Sequence, residues 1–193
     1  MPGVASRPAA ESDQVVKAVF LDRDGVLNAN LERAGKPVAP VRLEELQLLD
    51  GAVSSVRALK AAGFLTIVVT NQPDVVTGLT PKVNVEAINR EIARAMPIDA
   101  FFVCYHTDAN NCSCRKPKPG LILAAAKAHN IDLPSSYLVG DRWRDIEAGQ
   151  AAGCKTILVD NGYPQERPTQ HSVMVSSLPE AVKWIMRSEG RIS

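Results

Sequence analysis

Aromatic residues are scarce in this chain, at 5% of the sequence, so a core has to be built from Val, Leu, Ile and Ala. Neither sign of charge is in surplus. The formal net charge is +1, which gives no electrostatic case for nucleic acid or for an anionic membrane surface as a partner. No apolar run is long enough to cross a bilayer, and Met1 to Gln14 lacks the apolar stretch of a secretory signal. That segment is expected to be a flexible lead, on a cytoplasmic protein that acts as a monomer. Internal repeats and low-complexity tracts are also missing.

What is present is ordinary globular material, 46% hydrophobic and 22% charged over 193 residues. That length suffices for one domain with a substantial core, expected over residues 15–193. Apolar, β-branched runs predict buried strands at Val15–Leu21, Phe64–Val69, Ala100–Tyr105, Ser136–Val139 and Thr156–Val159, with a possible sixth at Val173–Val175. Helical spacing follows Gly51, runs from the Thr80-Pro81 start to Pro97, and recurs over Gly120–His129, Asp145–Ala152 and Ala181–Met186. Ala29 to Val41 is expected to be a long polar loop. Strand and helix alternate, which argues for an α/β fold with a parallel sheet covered on both faces.

Three of these strands end in polar groups. The first closes on Asp22-Arg23-Asp24-Gly25, the second on Thr70-Asn71-Gln72, and the fourth on Gly140-Asp141. In a parallel sheet these ends share one edge, where ligands of open α/β folds bind. An Asp-rich turn would explain any one of them, but three together point to a shared site. Two carboxylates one residue apart repel unless a cation lies between them or one is protonated. Asp22 and Asp141 suit a hard cation, Mg2+, and Arg115-Lys116 can meet phosphate charge. In such a set one Asp can attack phosphorus, while a second acid two residues on protonates the leaving oxygen and then activates water.

A second constellation is Cys104-x-His106-x5-Cys112-x-Cys114, which gathers three of the four cysteines into eleven residues. Three thiolates and an imidazole make a closed tetrahedral set for structural Zn2+. Cys154 reads as a small buried residue. Trp184 fits the apolar face of the last helix. Trp143 suits either the flank of the site or the core.

The chain resembles the haloacid dehalogenase (HAD) superfamily of phosphatases. Phe20 to Asn28, Val69-Thr70-Asn71-Gln72, Arg115 to Gly120 and Gly140-Asp141-Arg142-x-x-Asp145 look like its four motifs in order. The Cys/His loop narrows the likeness to the branch of D,D-heptose-1,7-bisphosphate phosphatases and histidinol-phosphate phosphatases. The resemblance implies a Rossmann-like three-layer fold with a mainly parallel sheet, a zinc-binding loop and no large cap. It implies a Mg2+-dependent phosphatase acting through an aspartyl-phosphate on a small phosphorylated metabolite, with D-glycero-D-manno-heptose 1,7-bisphosphate as the leading substrate. Histidinol phosphate or another small sugar phosphate is the alternative.

In that scheme Asp22 is the nucleophile and a Mg2+ ligand. Asp24 is the acid/base, with its backbone carbonyl on the metal. Asp141 completes the Mg2+ set and Asp145 supports it. Thr70 and Lys116 stabilise the phosphoryl group, with Lys118 as the fallback lysine. Asn28, Asn71, Gln72, Arg115 and Arg142 would meet substrate, and Cys104, His106, Cys112 and Cys114 would hold Zn2+. The rim would come from the segments after Asn28 and Gln72 and from the zinc loop. Two departures bear on substrate. Pro73-Asp74-Val75-Val76-Thr77-Gly78 stands where heptose bisphosphatases carry a Ser-Gly-Ile-Ala-Arg-Gly-like run, and it lacks the arginine. The zinc loop is short, as in the histidinol-phosphate branch, and Tyr105 replaces a proline. A non-enzymatic alternative, a zinc-stabilised binding protein on a degenerate phosphatase fold, would need a lost nucleophile or metal acid, and neither is lost.

Overall fold

The computed structural model describes residues 16–162, 168 and 170–192. The expected N-terminal lead and Val15 lie outside the described residues. Strand β1 (Ala18–Leu21) is wholly buried, and its apolar residues divide by the alternation of a strand. Val19 and Leu21 face one layer of helices, and Ala18 and Phe20 face the other. Together with β4 (Leu65–Asn71), β5 (Ala100–Cys104), β6 (Tyr137–Gly140), β7 (Lys155–Val159) and β8 (Val173–Val175) it forms a sheet of order β5-β4-β1-β6-β7-β8. Every pairing in that sheet is parallel.

Helices α1 (Ala52–Ala61), α2 (Lys82–Ala95) and α5 (Leu178–Ser188) pack through Val56, Leu59, Ile88, Ile92 and Ile185 on the face of Val19. Helices α3 (Gly120–His129) and α4 (Trp143–Ala152) pack through Ile122, Ala125 and Ala148 on the face of Phe20. The result is three layers. The aromatic contribution is small: the rings of Phe64 and Trp184 meet Tyr137 edge-on, at 6.0 and 6.2 Å between centroids.

Three local expectations are corrected. The segment Ala29 to Val41 is not a loop throughout but contains a hairpin, β2 (Leu31–Arg33) and β3 (Lys36–Val38), paired antiparallel. Its two-residue turn, Ala34-Gly35, has φ of 52° and 70°, and two left-handed residues match the twist of the paired strands. The helix after Thr80 starts one residue later, with Pro81 at the cap, because the Thr80 hydroxyl donates instead to the Val41 carbonyl at 2.6 Å. Helix α4 begins at Trp143 rather than Asp145, and the Asp145 carboxylate accepts the Arg142 N–H at 2.9 Å. Among the described residues the hairpin and the Cys/His loop are additions at the carboxyl edge of the sheet, and there is no large cap. No described helix is long and apolar enough to cross a membrane.

Phe20 is fully buried at the sheet's centre. Phe20→Ala is expected to cost about 3–5 kcal/mol of stability, measured by urea unfolding with an unchanged m-value. A loss under about 1 kcal/mol would contradict the packing described.

Candidate active site

Leu21 pairs with Val68 on one side and Val139 on the other, so the three polar strand ends emerge level with one another. They floor a cleft of about 280 Å3 lined by Asp22, Asp24, Thr70, Lys116, Asp141 and Asp145, among others. Oxygens of Asp22, Asp141 and Asp145 lie within 4.8 Å of one another. All three side chains are buried. The ammonium group of Lys116, itself buried, donates to Asp22 Oδ1 and to the Val69 carbonyl at 2.8 Å each, and pairs with Asp145.

The electrostatics follow from this crowding. Burial pushes the Asp22 carboxyl up to about 7, the charge of Asp145 adds to it, and Lys116 opposes it. Burial and the charge of Asp22 likewise raise Asp141. Burial works against the Lys116 charge, but Asp145 and Asp22 together hold its pKa above the ordinary value. Three buried carboxylates with one ammonium group are an oxygen-rich, electron-rich set, and a hard divalent cation such as Mg2+ fits it.

Asp24 lies in other company. Its carboxylate accepts from Arg23 Nε at 3.1 Å and a second guanidinium nitrogen at 3.0 Å, from Asn28 Nδ2 at 2.9 Å and from Gln72 Nε2 at 2.6 Å. Arg23 is fully buried and donates onward to Asn89 Oδ1 at 3.0 Å. The side chain that joins Asp22 and Asp141 is therefore that of Asp145, not Asp24.

Several expected substrate contacts are placed differently. Asn28 and Gln72 are buried and turn their amides to Asp24, and Gln72 also donates to Thr70 Oγ1 at 3.0 Å. Asn71 lines the cleft but exchanges hydrogen bonds with the backbone of Lys116, at 3.1 and 3.2 Å. Arg115 turns away to Asp108 at 2.8 Å and the His106 carbonyl at 3.0 Å. Arg142 does line the cleft, beside Asp141 at 3.4 Å. Of the two lysines, Lys116 reaches the carboxylates, while Lys118 donates to Asn111 Oδ1 and the Cys112 carbonyl. Trp143 is half-buried beneath the Arg144 guanidinium, 4.8 Å from the ring centroid.

Sequence reasoning misses other contributors. Asn30 and Asn161 each donate to Asp141 Oδ2 at 3.3 Å, and Asn161 also reaches the Gly25 carbonyl at 3.0 Å. Arg144 lines the cleft and pairs with Asp108 at 3.0 Å. Pro37, Val38 and Ala39 of the hairpin and Pro73 and Asp74 after β4 complete the walls. Of these, Asn30, Pro37, Val38, Ala39, Pro73 and Asp74 fall in the segments after Asn28 and Gln72 that the sequence assigns to the rim, whereas Arg144 and Asn161 carry no such signal.

The Cys/His loop converges as its spacing predicts. Cys104, Cys112 and Cys114 sulfurs and His106 Nδ1 all lie within 4.8 Å of one another, and the three Sγ–Sγ separations are 3.3, 3.4 and 3.8 Å. These are free thiols. Three soft sulfurs and an imidazole nitrogen at such separations fit tetrahedral Zn2+.

Comparison with known proteins agrees with the geometry. Residues 113–181 match the family model described as HAD-hydrolase-like. The chain is 34% identical over 183 residues to the D-glycero-beta-D-manno-heptose-1,7-bisphosphate 7-phosphatase of Pasteurella multocida, which spans 88% of this chain and 96% of that one. The protein of that name from Escherichia coli K12 is 30% identical over 186 residues, spanning 87% and 94%. Among solved structures, the D,D-heptose 1,7-bisphosphate phosphatase of B. bronchiseptica, complexed with magnesium and phosphate, superposes with a TM-score of 0.75. It is 27% identical and covers 90% of this chain and 99% of its own.

Gly25 is where the backbone turns under Asp141. Its φ is +85°, and an added Cβ would lie 2.1 Å from Asp141 Oδ2. Gly25→Ala is expected to cost at least the ~1–2 kcal/mol of a side chain in left-handed backbone and to displace Asp141. Chemical denaturation measures the first and a crystal structure of the variant the second. Parent-like stability with Asp141 in place would refute the close approach.

Proposed function

Because the chain belongs to the HAD-like phosphatases, the family of the D-glycero-beta-D-manno-heptose-1,7-bisphosphate 7-phosphatases, we propose that it is a Mg2+-dependent phosphatase working through an aspartyl-phosphate on Asp22. Its substrate is D-glycero-D-manno-heptose 1,7-bisphosphate, and it acts as a single-domain monomer in the cytoplasm. The observation that carries the chemistry is the placement of Asp22. It lies on the cleft floor against Lys116, with Asp24 two residues on and held apart from the carboxylate cluster. The substrate rests on the named relatives, at 30–34% identity over nearly their whole length.

In this reading an Asp22 oxygen attacks the phosphorus of the substrate. The bond from phosphorus to the sugar oxygen breaks, and the proton on Asp24 passes to that leaving oxygen. Asp24 then takes a proton from water. The water oxygen attacks phosphorus, and Asp22 leaves as a free carboxylate with inorganic phosphate as product. Gln72, Asn28 and Arg23 hold Asp24 in place for both transfers. Lys116 and Thr70 meet the phosphoryl oxygens, and Asn71 fixes the Lys116 backbone for that task. The Asp22 and Asp141 carboxylates and the Asp24 backbone carbonyl would hold Mg2+, which would supply positive charge against the phosphoryl oxygens and the crowded carboxylates. Zn2+ on Cys104, His106, Cys112 and Cys114 secures the loop that delivers Lys116.

Two measurements test this reading. Asp22→Asn is expected to reduce phosphate release from heptose 1,7-bisphosphate at least about 10^3-fold while leaving the circular dichroism spectrum and zinc content as in the parent; retained turnover would remove Asp22 as nucleophile. Elemental analysis of the purified protein is expected to find about one zinc per chain, and Cys104→Ser to lower it. Metal-free protein with an equally stable fold would exclude the structural zinc.

A further inference from the structure

The cleft carries two arginines on one side and Asp74 on the other, and the order of the sheet sets them apart. Strands β4 and β6 lie on opposite sides of β1. Arg142 and Arg144 follow β6, beside Asp141 and Asp145, and Asp74 follows β4, so the two arginines and the acidic wall at Asp74 flank Asp22 from either side. Asp74 lines this cleft and is half-buried, and its carboxylate has no hydrogen-bond or ion-pair partner among the described residues. Burial and the charge of nearby Asp24 push its carboxyl above the usual range, with Arg33 and Arg23 opposing. Its backbone is fixed: the Asp74 carbonyl accepts from the N–H of Leu79 at 2.9 Å, the N–H of Thr80 at 3.1 Å and Thr77 Oγ1 at 3.3 Å. A partly desolvated acceptor on a rigid turn, aimed at no protein donor, is suited to a ligand donor.

We infer that Asp74 is a specificity-determining residue whose carboxylate accepts hydrogen bonds from hydroxyl groups on the body of a sugar phosphate bound at Asp22. The inference rests on the phosphatase reading above and adds to it the wall that recognises the sugar. A second anionic group is repelled from this wall by Asp74 and Asp24 and is left to the arginines opposite.

The test compares kcat and KM for heptose 1,7-bisphosphate and for phenyl phosphate, which carries no hydroxyl, in the parent, Asp74→Ala and Asp74→Asn. A hydrogen bond to a charged group corresponds to about tenfold to hundredfold in affinity. Asp74→Ala should therefore lower the ratio of kcat/KM for the sugar over phenyl phosphate by that factor, mainly through KM. Asp74→Asn keeps an acceptor oxygen and should recover part of it. An unchanged ratio, whether both substrates lose equally or neither loses, would overturn the role of Asp74. A parent enzyme that cleaves other sugar phosphates but not heptose 1,7-bisphosphate would overturn the substrate named above, and Asp74 is then read on those sugars by the same ratio. Cleavage of phenyl phosphate alone, or of nothing, would overturn both.

Discussion

One buried ammonium group among three buried carboxylates governs the carboxyl edge of this sheet. Lys116, Asp141 and Asp145 are almost wholly enclosed, and Asp22 nearly so. Charges this deep are costly unless each is paired and hydrogen-bonded. Lys116 meets that condition by bridging three elements: Asp22 after β1, the Val69 carbonyl in β4 and Asp145 in α4. Its backbone is held in turn by both ends of the Asn71 amide. The segment that carries it has little apolar content to anchor it, and a long loop of that kind has no single conformation without other restraints. The Cys/His cluster ends at Cys114, two residues before Lys116, so four converging donors restrain the loop where the ammonium group must be delivered. A metal held by those four donors would thereby be coupled to the carboxylate cluster through two residues of chain.

Asp22 and Asp24 show how neighbouring acids acquire different work from their surroundings. Asp22 enters the cluster, where burial and then the like charge of Asp145 favour its neutral form and a cation would restore the anion. Asp24 is turned out of the cluster by Arg23, Asn28 and Gln72, which surround it with donors and orient it. Gly25 makes this separation possible: its left-handed backbone lets the chain turn directly beneath Asp141, where a side chain would collide.

How much of this is legible in the sequence depends on the range of the interaction. The strands, their parallel arrangement and the shared polar edge follow from apolar periodicity and local chemistry, which act within a few residues. The four Cys/His donors are legible too, because they crowd into eleven residues. Side-chain direction is not. Asn28, Gln72 and Arg115 stand in motifs beside the site, yet each is turned aside by a buried or charged partner. Arg23 depends on Asn89, 66 residues away, and Asn161 reaches Asp141 from beyond β7. Such pairings are settled by the demand that buried polar groups be satisfied in three dimensions. The hairpin hides for a different reason: Ala34, at φ 52°, is not a residue that advertises a left-handed turn, and only Gly35 does.

With no large cap among the described residues, selection of substrate falls to short segments, and these are built before substrate arrives. The hairpin's exit is held at Val41, whose N–H goes to Glu45 at 3.0 Å and whose carbonyl accepts from Thr80 at 2.6 Å and Asn84 at 3.0 Å. The Val41 N–H is the largest influence holding the Glu45 carboxyl below its usual range, and both Glu45 oxygens accept from Arg33 in β2, at 2.9 and 2.8 Å. Thr80 is also the residue whose N–H closes the turn carrying Asp74. One threonine therefore ties the hairpin wall to the acidic wall. Ordering those segments is a cost met when the chain folds rather than when substrate binds, so hydrogen bonds across the cleft can go into discrimination instead of loop closure. A cleft built this way distinguishes substrates by where its fixed donors and acceptors lie, and it does so with a few side chains on two turns and a hairpin.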